Sequence, residues 1–318
     1  MNFNPAAFFN ILIKRGVTME RITNSSISQF KRCRKEYYYR YMKELVPRRE
    51  GMARGIGSAV HKGLETGSID DALELFDRIF PADQTEADAL EYNRVTVRAM
   101  LEGYFEKYGK DWEGEFRPEV QFNIPVINPA TGKPSRSFTL AGKADGLLHG
   151  RTDYWLVEYK TSGTTVDKRY VDKLLLDSQM TTYIYGIQRQ EGIKISGVIY
   201  RVLRKPSIRQ TKKETFIQFT DRLIEDYRNR PEFYFYEEQV YRTQADLKEF
   251  ELELWDYTQD LLKCRRDQRW YKNTSQCGAY AGCDYMPLCL HEQDAELRYE
   301  SRAKNIELKE EELHVTAS

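Results

Sequence analysis

Residues 137–161 read SFTLAGKADGLLHGRTDYWLVEYKT, and how this stretch pairs with itself decides the architecture around it. Two β-rich segments, Ser137–Leu148 and Tyr154–Thr161, flank a turn over Gly150–Asp153, whose glycine and aspartate favour a tight reversal. If the two pair antiparallel through that turn, opposed positions keep a constant sum of residue numbers, and Asp145 falls opposite Glu158. Opposed Cβ atoms in such a ladder lie roughly 4.5–5.5 Å apart, and two carboxylates that close repel unless a cation sits between them. Oxygen ligands of this kind suit Mg2+ or Mn2+, which polarise a phosphodiester and activate water. Side chains two apart on a strand share a face, so Lys160 points with Glu158 and can support an attacking water or the developing charge. An acidic-x-Lys triplet arises by chance in a chain this charged. Trp155, Leu156 and Val157 nevertheless give the strand a buried character, and a buried face rarely carries Glu and Lys without a reason.

Outward from this hairpin the pattern is helical before and mixed after. Asn24-Ser-Ser26 offers N-caps for a helix through Ile27, Phe30, Cys33 and Tyr37 that interleaves Lys31, Arg32, Arg34, Lys35 and Arg40 with tyrosines. Glycines 51, 55 and 57 are expected to break the chain before a second helix, Ser58–Thr66, and one helical stretch should follow over Asp70–Tyr108. Glu119–Val126 reads as the first core strand, with Glu119 a candidate supporting acid. Beyond the hairpin we expect a helix over Val171–Gln190, a strand over Gly197–Leu203, a basic loop and a return strand over Glu214–Phe219. A short helix (Asp221–Arg228), a strand (Glu232–Tyr241) and a long helix (Gln244–Cys264) should follow. Helices, then strands, then a mixture imply an α+β or α/β fold with one mixed central sheet.

The totals bound the function. With 318 residues, 41% hydrophobic and 31% charged, the chain is globular in composition and large enough for a substantial core. No apolar run approaches the roughly 18 residues needed to cross a bilayer. The Phe8–Ile13 patch is short and lacks a small-residue cleavage site, so a cytoplasmic protein with no membrane partner is expected. The 49 basic and 49 acidic residues cancel, which leaves nucleic-acid binding to local patches. Three segments combine charge with aromatics: the first helix, Arg201–Lys213, and Lys263–Lys272 with Trp270 and Tyr271.

Five cysteines, three of them at Cys277, Cys283 and Cys289, do not make a secreted disulfide framework; the clustering points to metal. A fourth ligand could come from Cys33 or Cys264, and four thiolates suit either a 4Fe-4S cluster or structural zinc.

These motifs, in this order, resemble the PD-(D/E)XK nuclease superfamily, in the branch of RecB-like and AddB-like nuclease domains and of CRISPR-associated and phage iron–sulphur exonucleases. Ser26–Tyr38 is similar to the family's amino-terminal helix with its first cysteine, and Gly55–His61 to its helix with a metal-binding histidine. Gly142-x-x-Asp145 and Glu158-x-Lys160 are similar to its catalytic core, and Gln179-x-x-x-Tyr183 to its downstream Q-x-x-x-Y motif, which in relatives orients the lysine and contacts DNA. The resemblance implies a restriction-endonuclease-like core with a helical insertion and a cysteine-closed C-terminal segment. Residues 1–22 would be a lead-in, 23–293 one nuclease domain (helical part 58–112, catalytic core 113–219, cysteine-bearing part 220–293) and 294–318 a charged tail, solvated or disordered. It further implies His61, Asp145 and Glu158 as ligands for Mg2+ or Mn2+, with Lys160, Gln179 and Tyr183 completing the catalytic set. Cys33, Cys277, Cys283 and Cys289 would hold a structural 4Fe-4S cluster, with zinc as the alternative, although relatives often carry a tighter C-x-x-C. The implied activity is a DNA nuclease, an exonuclease on single strands or ends, with protein partners of a repair, replication, phage or CRISPR complex. The alternative is a non-catalytic nucleic-acid-binding or assembly module on the same fold, which would show a degraded core.

Overall fold

The computed structural model describes residues 19–48, 53–81, 83–110, 112–279, 282–305 and 308. Its centre is a six-stranded mixed sheet built around one long strand, β4 (Pro134–His149). Along one edge β4 pairs antiparallel with β3 (Glu115–Ile127) over almost its full length. The other edge is shared by two shorter strands. β1 (Glu20–Ile22) runs parallel to Phe138–Leu140, and β5 (Tyr154–Ser162) runs antiparallel to Gly146–His149. β5 continues the sheet through parallel β6 (Ile195–Arg204), which pairs antiparallel with β7 (Phe235–Val240). A separate two-stranded ribbon joins β2 (Leu45–Pro47) to β8 (Tyr299–Ser301).

Alternating side chains of the buried strands feed two apolar layers, one on each sheet face. On one face Phe122, Leu140 and Tyr200 pack under α1 (Asn24–Arg32), α7 (Ser178–Glu191) and α10 (Gln244–Asp267). On the other, Val157, Tyr159 and Leu203 pack under α3 (Ala53–Thr66), α4 (Ile69–Asp77), α5 (Gln84–Tyr108), α8 (Phe216–Asn229) and the short α9 (Pro231–Tyr234). The remaining short helices are α2 (Arg34–Tyr37), α6 (Lys168–Leu175) and α11 (Met286–Leu290). This is the α/β architecture with a helix-flanked mixed sheet that the sequence implies. Among the described residues no helix is long and apolar enough to cross a membrane.

Several elements depart from the expected boundaries for local reasons. The first helix stops at Cys33, whose backbone is extended, resumes as α2 and ends in a π-helical turn over Tyr38–Met42. Gly55 and Gly57 lie inside α3 rather than before it. Gly57 faces β5, where an added Cβ would stand 3.5 Å from Thr161 Oγ1, an ordinary contact. The stretch after Asp70 is two helices, the second capped by Asp83 accepting from Glu86 N–H at 2.9 Å. The helix expected over Val171–Gln190 breaks at Asp177, whose side chain caps α7. Arg242 pins that break, donating to Leu174 O, Asp177 O and Thr181 Oγ1. Glu214–Phe219 is not a strand: Thr215 and Gln218 form a reciprocal capping box that opens α8. Glu20–Ile22 is an edge strand rather than loose lead-in. Part of the charged tail is ordered as β8, and Lys304 reaches back to Glu20 at 2.9 Å.

The seat of α7 depends on Gly186, where a Cβ would lie 2.3 Å from the Phe122 ring. Gly186→Ala is therefore expected to lower the unfolding free energy by about 1–3 kcal/mol through overpacking, read as a reduced urea midpoint at unchanged slope.

Candidate active site

The expected hairpin register is present from His149↔Tyr154 to Gly146↔Val157, and the Gly150 N–H closes the turn on Asp153 O at 2.9 Å. One residue further, where Asp145 would face Glu158, the strands part. Residues 141–145 of β4 have no strand neighbour on that edge, because β1 pairs only as far as Leu140. The parting leaves the Tyr159 N–H without a ladder acceptor, and Asp145 Oδ2 takes it at 2.7 Å. A buried amide must find a partner, so this bond both ends the ladder and locks the Asp145 carboxylate into the gap. On the other edge of β4, the pair register puts Glu119 opposite Asp145 with φ 54°, a left-handed backbone rare for a residue with a side chain. The Glu119 carboxylate forms an ion pair with Lys143.

His61 enters the gap from α3. Its Nδ1 lies 3.2 Å from Asp145 Oδ1, and its ring stands edge-on to Tyr159 at 6.4 Å. Burial works to raise the Asp145 carboxyl, but the neighbouring His61 and Lys160 and the Tyr159 N–H outweigh it and hold the group below the usual carboxylate range. Burial favours a neutral His61, yet the Asp145 charge prevails and raises the imidazole.

Glu158 is 2% exposed. Its Oε1 accepts from the Lys160 ammonium, while Oε2 is buried with no hydrogen-bond partner. Burial first, and the Asp145 charge second, push this carboxyl up to about 8. Lys160 is held charged, because Glu158 and Asp145 outweigh the burial that opposes its ammonium. On α7, Gln179 Nε2 donates to the Tyr183 hydroxyl at 2.8 Å. The Tyr183 phenol is raised well above its ordinary range, first by burial and then by the Glu158 charge, which sets it beside the acid pair.

Two acids near this group escaped sequence reasoning. Asp177 caps α7 by accepting from Gln179 N–H at 2.8 Å, and its charge also favours the Lys160 ammonium. Asp177-Ser-Gln was legible as a helix start, but not as a neighbour of the lysine. Glu65 lies one helical turn beyond His61 and raises the Glu119 carboxyl, after burial and against the Lys143 pair. The i, i+4 spacing from His61 was the available signal.

The donor set fits a hard divalent cation: a carboxylate fixed by a backbone N–H, an imidazole, and a buried carboxylate oxygen with nothing to accept from. As the side chains stand, no group of three His, Cys, Asp or Glu among the described residues closes to ligating distance, and Lys160 supplies the local positive charge.

The family model of the PD-(D/E)XK nuclease superfamily matches residues 21–290. The chain belongs to the PD-(D/E)XK nuclease superfamily. Such a nuclease acts on DNA, and this superfamily usually employs Mg2+ or Mn2+. No curated protein matches. Among solved structures, one titled "Crystal structure of SSO0001" aligns over 70% of this chain and 85% of its own at 14% identity. Its TM-score of 0.26 carries no argument.

In this superfamily member the cysteines fall into two environments. Cys33 sits at the α1–α2 break, where its Sγ accepts from Asn273 N–H at 3.3 Å. Cys283 N–H bonds to Cys277 O at 3.0 Å, and Cys289 N–H to Tyr285 O at 3.1 Å. Burial pushes the Cys283 thiol up to about 11, with Glu36, Cys289 and Cys33 adding to the rise. Burial likewise raises Cys289, and Cys33 and Cys277 are among its neighbours. Cys264 instead stands against Arg34 and Asp260.

Several of the basic residues singled out in the sequence form ion pairs. Arg32 bonds to Glu36, Arg34 to Asp260 and Arg265 to Glu20. Arg201 is spent internally: its guanidinium lies 4.0 Å from the Tyr108 ring and 4.1 Å from the Trp112 ring, and Nε donates to Glu237 at 2.7 Å.

The raised Glu158 carboxyl has a measurable consequence. Its contribution to stability is fully present below its unfolded pKa, in the ordinary carboxylate range, and is lost as pH rises towards about 8. The difference in melting temperature between Glu158→Gln and the parent, both chelator-treated, should therefore move in favour of the variant by at least about 2 °C from pH 5 to pH 8.5, roughly the effect of 1 kcal/mol.

Proposed function

We propose that this superfamily member is a Mg2+- or Mn2+-dependent exonuclease acting on single-stranded DNA or DNA ends. The observation that carries the reading is the partnerless buried Glu158 Oε2 beside a carboxylate already fixed in the strand gap. Asp145, Glu158 and His61 would hold the cation, which when bound supplies Lewis-acid polarisation of the phosphodiester and a more acidic water. Asp145 is oriented by Tyr159 N–H, so its carboxylate need not reorganise. His61 would bind as neutral imidazole. Lys160, freed from Glu158 Oε1, would direct its ammonium at the attacking water or the developing phosphorane charge. The Gln179–Tyr183 pair would limit where that ammonium travels. The preference for single strands and ends rests on the resemblance to RecB-like enzymes and on the aromatic-rich surfaces.

In the same proposal Cys33, Cys277, Cys283 and Cys289 hold a structural 4Fe-4S cluster, with zinc as the alternative. Support comes from the mutual neighbourhood of these thiols and the separate setting of Cys264. The Asn273–Cys33 contact closes 240 residues of chain, so a metal clip at this point would remove much conformational freedom from the unfolded state. The reading treats residues 23–293 as one domain in a cytoplasmic protein, working with partners of a DNA repair, replication, phage or CRISPR assembly. A second reading, a non-catalytic binding module, is favoured by the Lys160–Glu158 ion pair, which neutralises the buried acid without any metal.

Digestion of end-labelled linear and circular single-stranded DNA with Mn2+ separates the two. The anaerobically purified wild type should degrade linear strands and spare circles, and Lys160→Ala should be slower by about 100-fold or more. Well-folded wild type that cuts neither substrate would sink the nuclease reading in favour of the module.

The clip has its own test. Cys277→Ser should lose bound iron by elemental analysis, the broad visible absorbance, and several degrees of thermal stability. Zinc in place of iron would select the alternative, and an unchanged protein would remove Cys277 from the ligand set.

A further inference from the structure

A cleft of about 690 Å3 opens on the helical side of the sheet, between the C-terminal end of α3, the end of α5 and the start of β3. Its walls are aromatic: Tyr104 and Tyr108 from α5, Trp112 from the following loop, and Phe116 from β3, which stacks on Trp112 at 5.5 Å. We propose that this cleft seats an unpaired nucleobase of the DNA strand whose phosphate is cut at Asp145 and Glu158. The inference rests on the nuclease reading above and adds a substrate subsite to it.

Three observations carry the proposal. First, the cleft adjoins the strand gap through Tyr159, whose side chain lines the cleft on the face of β5 opposite to Glu158 and Lys160, and whose N–H goes to Asp145. Glu65, also in its lining, is one turn beyond His61, and Pro118 directly precedes Glu119. Aromatic contacts run from His61 through Tyr159 to Tyr104, with centroids 6.4 and 5.9 Å apart.

Second, the walls stand ready before any ligand arrives. Arg201 is fixed by Glu237 and by the Tyr104 hydroxyl, the latter at 2.5 Å, and its guanidinium holds the Tyr108 and Trp112 rings in place. Tyr108, Trp112 and Phe116 all remain partly exposed, so their ordering has been met by the fold rather than by the ligand.

Third, size and chemistry select the occupant. The volume lies within the usual range of small-ligand sites, roughly 300–1,000 Å3, and admits a nucleotide or two but not a stacked duplex. Aromatic faces bind any base without reading its sequence. Lys110, over the Phe105 ring at 5.3 Å, is the cation of the lining not held in an ion pair with a described residue, and it shares the lining with the carboxylates of Glu65 and Glu113.

The test uses the full chain carrying Lys160→Ala, so that a bound strand survives. Single-stranded oligodeoxynucleotides with 5-iodouracil stepped along the strand are irradiated in the complex, and the crosslinked peptides are mapped by mass spectrometry. Crosslinks at Tyr108, Trp112 or Phe116 are the expected result; crosslinks confined to other segments overturn the proposal. Separately, Trp112→Ala, checked for fold by thermal melting, should bind oligothymidine about tenfold more weakly, whereas Trp112→Phe should stay within about threefold of the parent. Equal affinity for the alanine variant and the parent overturns it. Digestion by the unsubstituted chain tells the two failures apart. Intact digestion with crosslinks elsewhere removes only the cleft, and neither digestion nor binding removes the nuclease reading with it.

Discussion

The bond from Tyr159 N–H to Asp145 Oδ2 is the contact on which the site depends. Strands that part inside a sheet leave amides and carbonyls without partners, and burying them is costly. Here the departing strand is compensated by a side chain, and that side chain is the acid proposed above as a metal ligand. The constraint works in both directions: the carboxylate cannot swing away without orphaning the amide, and the amide cannot rejoin the ladder without displacing the carboxylate. The positive φ of Glu119 on the opposite edge of β4 falls at the same level of the sheet. Distortion is thus concentrated at one rung, where His61, Glu158 and Lys160 also arrive.

Burial divides the labour between the two central acids. Asp145 keeps its charge because His61, Lys160 and a backbone donor surround it, whereas Glu158 is pushed towards its neutral form by the apolar strand around it and by Asp145 itself. Lys160 offsets that penalty in the protein alone. A cation taking up Glu158, as proposed above, would relieve the same penalty, so cation loading and lysine availability would be coupled through one carboxylate group.

The sequence carried much of this. The constant-sum argument for the 150–153 turn gave the strand register, since two strands joined by a short turn have few ways to pair. The i, i+4 spacing of Gln179 and Tyr183 fixed their common face. What it could not carry were features decided by distant contacts. The gap beside residues 141–145 of β4 is bounded by β1, which stops at Leu140, and Asp177 stands at an α6–α7 break held by Arg242, far along the chain. Arg201 read as a phosphate contact because its partners, Glu237, Tyr108 and Trp112, lie far away in the chain. The Glu214–Phe219 segment has alternation enough for a strand, but the Thr215–Gln218 box gives its amides a helical alternative. Family membership is secured by the match over residues 21–290, which no single triplet could supply.

The shared edge of β4 also bears on the order in which the site assembles. The contact between Asp145 and Tyr159 closes 14 residues of chain, whereas His61 reaches Asp145 across 84. Loop-closure entropy scaling as (3/2)RT ln n makes the second closure costlier by about 1.6 kcal/mol. Across small proteins, chains rich in local contacts fold faster than those that depend on distant ones. The acid pair therefore belongs to a local meander, and the histidine is expected to join it when the helical layer docks. A chain caught between those stages would hold both carboxylates on neighbouring strands with the imidazole still absent, a half-built centre rather than a scrambled one.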